Sequence, residues 1–491
     1  MGSGMALQRV KGLSISGVCI LAGLLCPAAR GETGGGDLPR ARPNVIIIFA
    51  DDLGYGDLGC YGNPSIRTPQ LDRMAAEGQR WTSFYVAANV CTPSRAGLLT
   101  GRWPVRSGMT SDRRLVLTAR AAGGLPDTEI TLAELLRQQG YATGAIGKWH
   151  LGQQARYLPT SRGFGEFFGT PYSNDEAVSP AWKKDFTRRD YWNNPLFYTP
   201  RSEYWDIPLL RNETELERPV EQSTLTQRYT EEAVQFVERH AGQPFFLYLA
   251  PNMPHVPLFA SEGFRGRSPR GIYGDTVEEL DAMVGRLLET VRRLGLEQNT
   301  LVIFSSDNGP WLIFGEHGGS AGALRDGKGT TWEGGHRVPA IFWWPGRIKA
   351  GGSVGDIGTT LDVFTTVARL AGAALPADRV IDGIDLRAPL FGEGPSPRQS
   401  MLYFRGTKIY AIRQGQYKAH FSTKPGFGPQ LVETIHDPPL LFDLERDPAE
   451  QNNLAASRPD IVAGMVRLRA EQQAGLTQGT DQLVEQLPVS Q

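Results

Sequence analysis

Continuous apolar runs, rather than alternating ones, set the pattern of the first three quarters of the chain. Asn44-Val45-Ile46-Ile47-Ile48-Phe49-Ala50 is the clearest, and residues 245–250 and 300–306 repeat it. Such β-branched runs predict strands buried on both faces, as in a parallel sheet. A run of small residues at 141–147 and shorter runs at 81–86 and 341–344 predict further strands. Between them lie segments of helical period. Residues 68–75 open with threonine and proline and close at Gly78, 131–139 close at Gly140, and 226–239 and 361–371 follow. Residues 275–294 place apolar side chains at 277, 280, 284, 287, 288 and 291, a single helical face. Strands alternating with helices predict an α/β fold: a large mixed, mostly parallel sheet flanked by helices.

The pattern changes near residue 400. Short alternating runs at 401–404, 409–413, 416–420 and 440–444 are followed by a helical segment at 460–476. This predicts a smaller C-terminal antiparallel sheet with one helix. The expected organisation is a leader at 1–31, a catalytic domain at 43–395 and a small α+β domain at 396–491. No internal repeat is present. Residues 175–220 are polar and aromatic without a period, which predicts an irregular excursion. Trp182, Tyr191, Trp192, Tyr204 and Trp205 within it could stack on a substrate ring or simply pack that lobe.

Composition narrows the class. The chain has 491 residues, 40% hydrophobic and 21% charged, with a formal net charge of −1. It has no basic excess that would point to nucleic acid. Arg9 and Lys11 precede the apolar stretch 13–25, and Pro27-Ala28-Ala29 offers small residues for cleavage, so the leader predicts export. That stretch is short for a membrane span, and no later segment is long and apolar enough. Of four cysteines, Cys19 and Cys26 lie in the leader. Cys60 and Cys91 remain, and a disulfide between them is the structural alternative to any chemical role. So few cysteines in an exported chain favour a bacterial periplasmic or secreted protein over a lysosomal one. The single sequon Asn212-Glu213-Thr214 decides nothing, and oligomeric state is left open.

Chemistry collects where the apolar runs end. Asp51 and Asp52 end the first run, Lys148 and His150 follow the second, His255 follows the third, and Asp307 and Asn308 end the fourth. Ligands of open α/β sheets bind beyond the carboxyl ends of the strands, so these tips are expected to share one cleft. Adjacent carboxylates such as Asp51 and Asp52 repel unless a cation lies between them, although an Asx turn would also suit the pair. Asp51, Asp52, Asp307 and Asn308 offer hard oxygen ligands, which suit Ca²⁺ or Mg²⁺. Cys91 precedes Pro93 at the start of a helical segment, where the helix N-terminus favours an anion, and Arg95 lies one turn on. Lys328 sits in a glycine-rich stretch, 318–335.

Cys91-Thr92-Pro93-Ser94-Arg95, followed by Leu99-Thr100-Gly101-Arg102, resembles the signature of the formylglycine-dependent sulfatase family. Asp51-Asp52-Leu53-Gly54-Tyr55-Gly56-Asp57, Gly147-Lys148-Trp149-His150 and Gly327-Lys328-Gly329-Thr330-Thr331-Trp332-Glu333-Gly334-Gly335 resemble further motifs of that family. Together they are closest to its arylsulfatase A-like branch within the alkaline phosphatase-like superfamily. The resemblance implies that a formylglycine-generating enzyme converts Cys91 to formylglycine (3-oxoalanine). It also implies a Ca²⁺ ion bound by Asp51, Asp52, Cys91, Asp307 and Asn308. Its catalytic set is Cys91, Arg95, Lys148, His150, His255 and Lys328. Lys148, Ser173 (within Pro171-Tyr172-Ser173), His255 and Lys328 would bind substrate. In the implied reaction the hydrated aldehyde attacks sulfur with help from Asp307, while His255 and Lys328 assist the leaving alcohol. His150 then deprotonates the second hydroxyl so that sulfate departs, and Arg95 and Lys148 orient the diol. The substrate would be a sulfate monoester: an aryl sulfate, a sulfated carbohydrate or a sulfated lipid. A related phosphatase or phosphonate-ester hydrolase, and a non-catalytic sulfated-glycan binder, are the competing readings.

Overall fold

The computed structural model describes Met1 and residues 42–183 and 193–488. The rest of the expected leader, with Cys19 and Cys26, lies outside the described residues, as do Tyr191 and Trp192. In spatial order the ten-stranded sheet runs Gly352–Val354, Gln79–Trp81, Ala340–Trp343, Thr300–Ser306, Asn44–Ala50, Phe245–Ala250, Ala142–Lys148, Glu166–Thr170, Leu209–Arg211 and Thr214–Glu217. The five strands from Thr300–Ser306 to Glu166–Thr170 are mutually parallel, and antiparallel strands flank them on both sides.

The first apolar run shows why the central strands read as unbroken hydrophobics. Val45, Ile47 and Phe49 enter one core, with Leu98, Leu99, Leu132, Leu136 and Phe364 from helices on that face. Ile46, Ile48 and Ala50 enter the other, with Leu71, Met74, Phe236, Val277 and Leu280. Alternate side chains of one strand therefore serve opposite cores, and neither face has room for a polar residue.

Register carries the chemistry to one edge. Asn44–Ala50 pairs with Thr300–Ser306 from Asn44↔Thr300 to Ala50↔Ser306. Ala142–Lys148 pairs with Phe245–Ala250 up to Gly147↔Ala250. Asp51 and Asp307 thus leave the sheet level with each other and one residue beyond Lys148 and Pro251.

The C-terminal region forms a separate antiparallel sheet of Ser400–Arg405, Lys408–Gln414, Tyr417–Thr423 and Thr434–Asp443, with the helix Pro459–Ala474. Met401, Tyr403 and Ala411 of that sheet pack on Tyr85, Trp103 and Leu361.

Two local expectations change. The strand expected at 81–86 is two pieces. Gln79–Trp81 joins the large sheet, whereas Phe84–Tyr85 pairs with Gly358–Thr359. The stretch 175–220, expected to be irregular, ends in a hairpin that widens the large sheet. Asn212 turns that hairpin at φ 54°, a left-handed conformation that asparagine tolerates. Within the same stretch Trp205 is fully buried against Phe197, and Trp182 packs on Tyr204 at 4.4 Å.

Candidate active site

Cys91 opens the helix Cys91–Thr100, all of whose residues are buried, after an extended Val90. Gly101 ends the helix in a left-handed turn, returning its N–H to the Gly97 carbonyl. The buried Cys91 Sγ lies 3.5 Å from Asp51 Oδ1. Cys91 and Cys60 are both free thiols, so the disulfide alternative is not formed. Arg95 is fully buried and ties the strand tips together. It donates to Asp307 Oδ2 at 2.7 Å and to the Lys148 carbonyl and Tyr248 hydroxyl at 3.3 Å, and stands 3.6 Å from Asp51.

The two lysines pair with different carboxylates. Lys148 Nζ donates to Asp51 Oδ2 at 2.5 Å and to Ser173 Oγ at 3.1 Å. Lys328 Nζ lies 2.7 Å from Asp52 Oδ1 and rests over the Trp311 ring at 4.1 Å from its centroid. His255 Nε2 lies 3.6 Å from Asp52 Oδ2, and its other ring nitrogen faces the Val256 carbonyl. His150 Nε2 lies 2.8 Å from the Leu117 carbonyl. A carbonyl only accepts, so Nε2 carries the proton and Nδ1, which has no hydrogen-bond partner, is the basic nitrogen. These contacts gather Asp51, Asp52, Cys91, Arg95, Lys148, Ser173, His255, Asp307 and Lys328 into one buried cluster, with His150 within electrostatic reach of Lys148, Arg95 and Asp51.

Asp52 and His150 adopt φ 59° and 58°. Side chains two apart share a face in an extended strand and neighbours do not, so a regular strand end would separate Asp51 from Asp52. The left-handed turn at Asp52 brings both carboxylates to the pocket, at the price of local backbone strain.

Burial pushes the Cys91 thiol well above its ordinary value, so the side chain is a neutral thiol. Burial also raises Asp51, but the cations around it, Lys148 first and then Arg95 and Lys328, bring it well below the carboxylate range. Asp52 is pushed up to about 7 by burial, opposed by Lys328 and reinforced by the Asp51 and Asp307 charges. Burial, with Lys148 for His150 and Lys328 for His255, holds both imidazoles well below the usual range, hence neutral.

Three carboxylates face three buried cations here, and four side chains are grouped closely enough to hold a metal ion. Ligand atoms of Asp51, Asp52, Cys91 and His255 lie within 4.8 Å of one another. Asp307 and Asn308 join this group by hydrogen bonds, through Asp307 Oδ1 to the Asp52 N–H at 3.1 Å and Asn308 Nδ2 to Asp52 Oδ1 at 2.6 Å. Asn308 Oδ1 is buried with no hydrogen-bond partner, an orphaned hard donor that a cation would satisfy.

Several contributors escaped the sequence reading. Tyr248 and Trp311 touch Arg95 and Lys328; Tyr248 was read only as part of a buried strand, and Trp311 was not singled out. Glu333, five residues past Lys328, accepts from Tyr85 and Tyr403 hydroxyls at 2.7 Å and from Lys418 Nζ at 2.9 Å. Glu450 accepts from the Glu333 N–H at 2.7 Å and stands 3.0 Å from Lys418. This buried network anchors the Lys328 loop to the C-terminal sheet. Its only advance signal was Glu333 inside the glycine-rich motif.

The loop after Asp52 is held by close backbone approach. Asp57 Oδ2 accepts from Tyr273 at 2.6 Å and from the Gly54 N–H at 2.8 Å. A Cβ on Gly54 would meet the Ser320 carbonyl oxygen at 2.1 Å. Gly54→Ala is therefore expected to lower stability by about 1–3 kcal/mol, read by thermal denaturation.

Residues 43–373 match the sulfatase family, and residues 396–490 match the C-terminal region of aryl-sulfatase. The chain belongs to the sulfatase family and is a sulfuric ester hydrolase. It is 43% identical to arylsulfatase A of Bos taurus over 478 residues, 90% of each chain. It is 40% identical to N-acetylgalactosamine-6-sulfatase of Canis lupus familiaris over 471 residues, 90% of this chain and 88% of that one. The crystal structure of the PsFucS1 sulfatase from Pseudoalteromonas sp. superposes with a TM-score of 0.77 at 31% identity, covering 88% of this chain and 90% of that one. Among the described residues no helix is long and apolar enough to cross a membrane.

Proposed function

We propose that this chain hydrolyses a sulfate monoester of a carbohydrate or aryl alcohol, with residue 91 as nucleophile after conversion to formylglycine. The supporting observation is the place of Cys91, 3.5 Å from Asp51 in a pocket lined by Arg95, Lys148 and Lys328. A neutral, buried thiol is a poor nucleophile, which fits a residue that acts only once changed. Formylglycine would supply, as its hydrate, one hydroxyl to attack sulfur and a second through which sulfate is released. A calcium ion held by Asp51, Asp52, Asp307 and Asn308, with residue 91 at its edge, would supply positive charge against the sulfate oxygens.

The chain's own side chains do the rest. Lys148 and Ser173 bind sulfate oxygens from one side, and Lys328 and His255 bind from the other, next to the leaving oxygen. Arg95 fixes Asp307 and the strand tips, so donors are aligned before substrate arrives. His150, neutral and with Nδ1 unprotonated, accepts the proton from the second hydroxyl, help worth about 10²–10⁴-fold. Lys328, held cationic by Asp52, stabilises charge developing on the leaving alcohol.

Residues 43–395 form the catalytic domain in this proposal. Residues 396–491 form a smaller domain that braces the Lys328 loop. The leader at 1–31 directs export to a periplasmic or extracellular location. A formylglycine-generating enzyme is the partner in maturation.

Chelation provides the test. Treatment with EGTA is expected to abolish turnover of 4-nitrophenyl sulfate and lower the melting temperature, with calcium restoring both. At calcium about 100 times Kd the stabilisation is about 2.7 kcal/mol. Full turnover with no bound divalent ion would contradict the ligand set. Faster turnover of 4-nitrophenyl phosphate than of the sulfate would contradict the substrate class.

A further inference from the structure

We propose that the cleft between residues 111–115 and the C-terminal sheet binds a second anionic group of the substrate, which makes the substrate a polysulfated carbohydrate chain. This rests on the sulfatase reading above and extends it outward from the reacting sulfur.

The cleft has a volume of about 300 Å³. Arg113 and Arg114 line one wall, and Arg405, Lys408 and Lys424 line the other. Two acids share it. Asp112 is engaged by the Thr407 N–H at 2.9 Å and its hydroxyl at 2.8 Å. Glu433 lies 3.9 Å from Lys408 Nζ. Arg113, Arg114 and Lys424 make no side-chain ion pair or hydrogen bond among the described residues. Several surface arginines elsewhere are paired, as in Arg67–Glu278, Arg218–Glu215 and Arg239–Glu166, and the unpaired ones here share a single cleft. Unpaired like charges repel, so a chain of net charge −1 that gathers them in one concavity has built a receptor for anions. Guanidinium groups suit sulfate as they suit phosphate, through paired N–H donors.

Both walls lead to the reacting groups. Three residues past Arg114, the Leu117 carbonyl faces His150 and the Leu117 N–H donates to Thr92, the neighbour of Cys91. Three residues of chain span at most about 10 Å. On the other wall Arg405 donates to the carbonyl of Gly329, the residue after Lys328. Arg114 also lines a second cavity of about 250 Å³ with Arg120 and Glu176. An aryl monosulfate carries no second anion to occupy this cleft, whereas a chain of sulfated sugars does.

The test compares wild type with Arg113→Ser/Lys424→Ser and, separately, Arg114→Gln. Binding of a heparin hexasaccharide is measured by calorimetry between about 50 and 200 mM salt, and kcat/KM is measured with 4-nitrophenyl sulfate. Both variants are expected to weaken hexasaccharide binding by about tenfold or more at the lower salt, with wild-type binding weakening as salt rises. Their kcat/KM on the aryl sulfate is expected to stay within about twofold, because neither variant touches the pocket around Cys91. Unchanged hexasaccharide binding in both variants would overturn the proposal. So would a single-stranded oligonucleotide bound by wild type as tightly as the hexasaccharide. Wild-type turnover of 4-nitrophenyl sulfate reports on the active-site reading alone, so the two claims fail separately.

Discussion

Cys91→Ala is expected to lower kcat on an aryl sulfate by at least about 10⁴-fold, with little change in melting temperature. The expected loss is large because the remaining pocket can bind sulfate but holds no group able to attack it. Lys148, Lys328 and Arg95 are cations paired with carboxylates, and His150 and His255 are neutral imidazoles facing the Leu117 and Val256 carbonyls. The fold should survive, because the change removes a single sulfur atom whose one hydrogen bond, at 3.5 Å, is weak. Cys91→Ser should behave similarly, since a single hydroxyl lacks the second one through which sulfate would be released. Steady-state kinetics with matched circular dichroism melts check both variants. Retention of more than about a tenth of wild-type kcat in either would show that another group is the nucleophile.

Arg95→Met is expected to damage the fold itself, by about 3–5 kcal/mol, as well as abolishing turnover. Arg95 is fully buried between Asp307 and Asp51, and removing it leaves the Asp307 carboxylate buried without its closest cation. Asp307 already lies above its ordinary value, through burial and the Asp51 charge, and Arg95 is the largest group opposing that rise. Without Arg95 the folded-state pKa of Asp307 rises further. An acid with a raised folded pKa binds its proton more tightly in the native state. Its penalty is absent below the unfolded value and grows as pH climbs towards the folded one. The variant should therefore be least destabilised at acid pH and most at neutral pH. Denaturant melts at several pH values measure this, and a pH-independent deficit would contradict the account. Arg95→Lys should recover only part of the stability, because one ammonium cannot serve Asp307, the Lys148 carbonyl and Tyr248 together.

The four central strands were legible because their environment leaves no choice of residue. Ile46 and Ile47 face different cores and both must be apolar, so the run announces itself. The abrupt change to Asp51, Lys148 and Asp307 marked the ends, and parallel register did the gathering. The hairpin Leu209–Arg211 to Thr214–Glu217 was not legible. It sits at the edge of the sheet, its outer strand is mostly exposed Thr-Glu-Leu-Glu, and such positions tolerate polar residues. Strand ends within 81–86 were misplaced for a different reason: apolar residues in both pieces are buried, and only pairing partners distinguish them.

The site divides in the same way. Motif residues were readable because they are charged or nucleophilic groups at strand tips, at the start of a helix or in a glycine-rich loop. Glu333, Lys418 and Glu450 were not grouped, because their meeting depends on how the C-terminal sheet docks, and no local pattern encodes that contact. Tyr248 occupies a buried strand position that any large apolar residue would fit. Its hydroxyl, 3.3 Å from Arg95, is what separates it from packing. His255 was expected beside substrate, and the structure places it also within reach of the carboxylate pair.

The most direct measurement is the mass of the tryptic peptide 81–95 from protein produced together with a formylglycine-generating enzyme. The account predicts a species about 18 Da lighter than the cysteine form, with the fraction converted tracking specific activity across preparations. A preparation that hydrolyses aryl sulfates at full rate while this peptide carries only the intact thiol would contradict it.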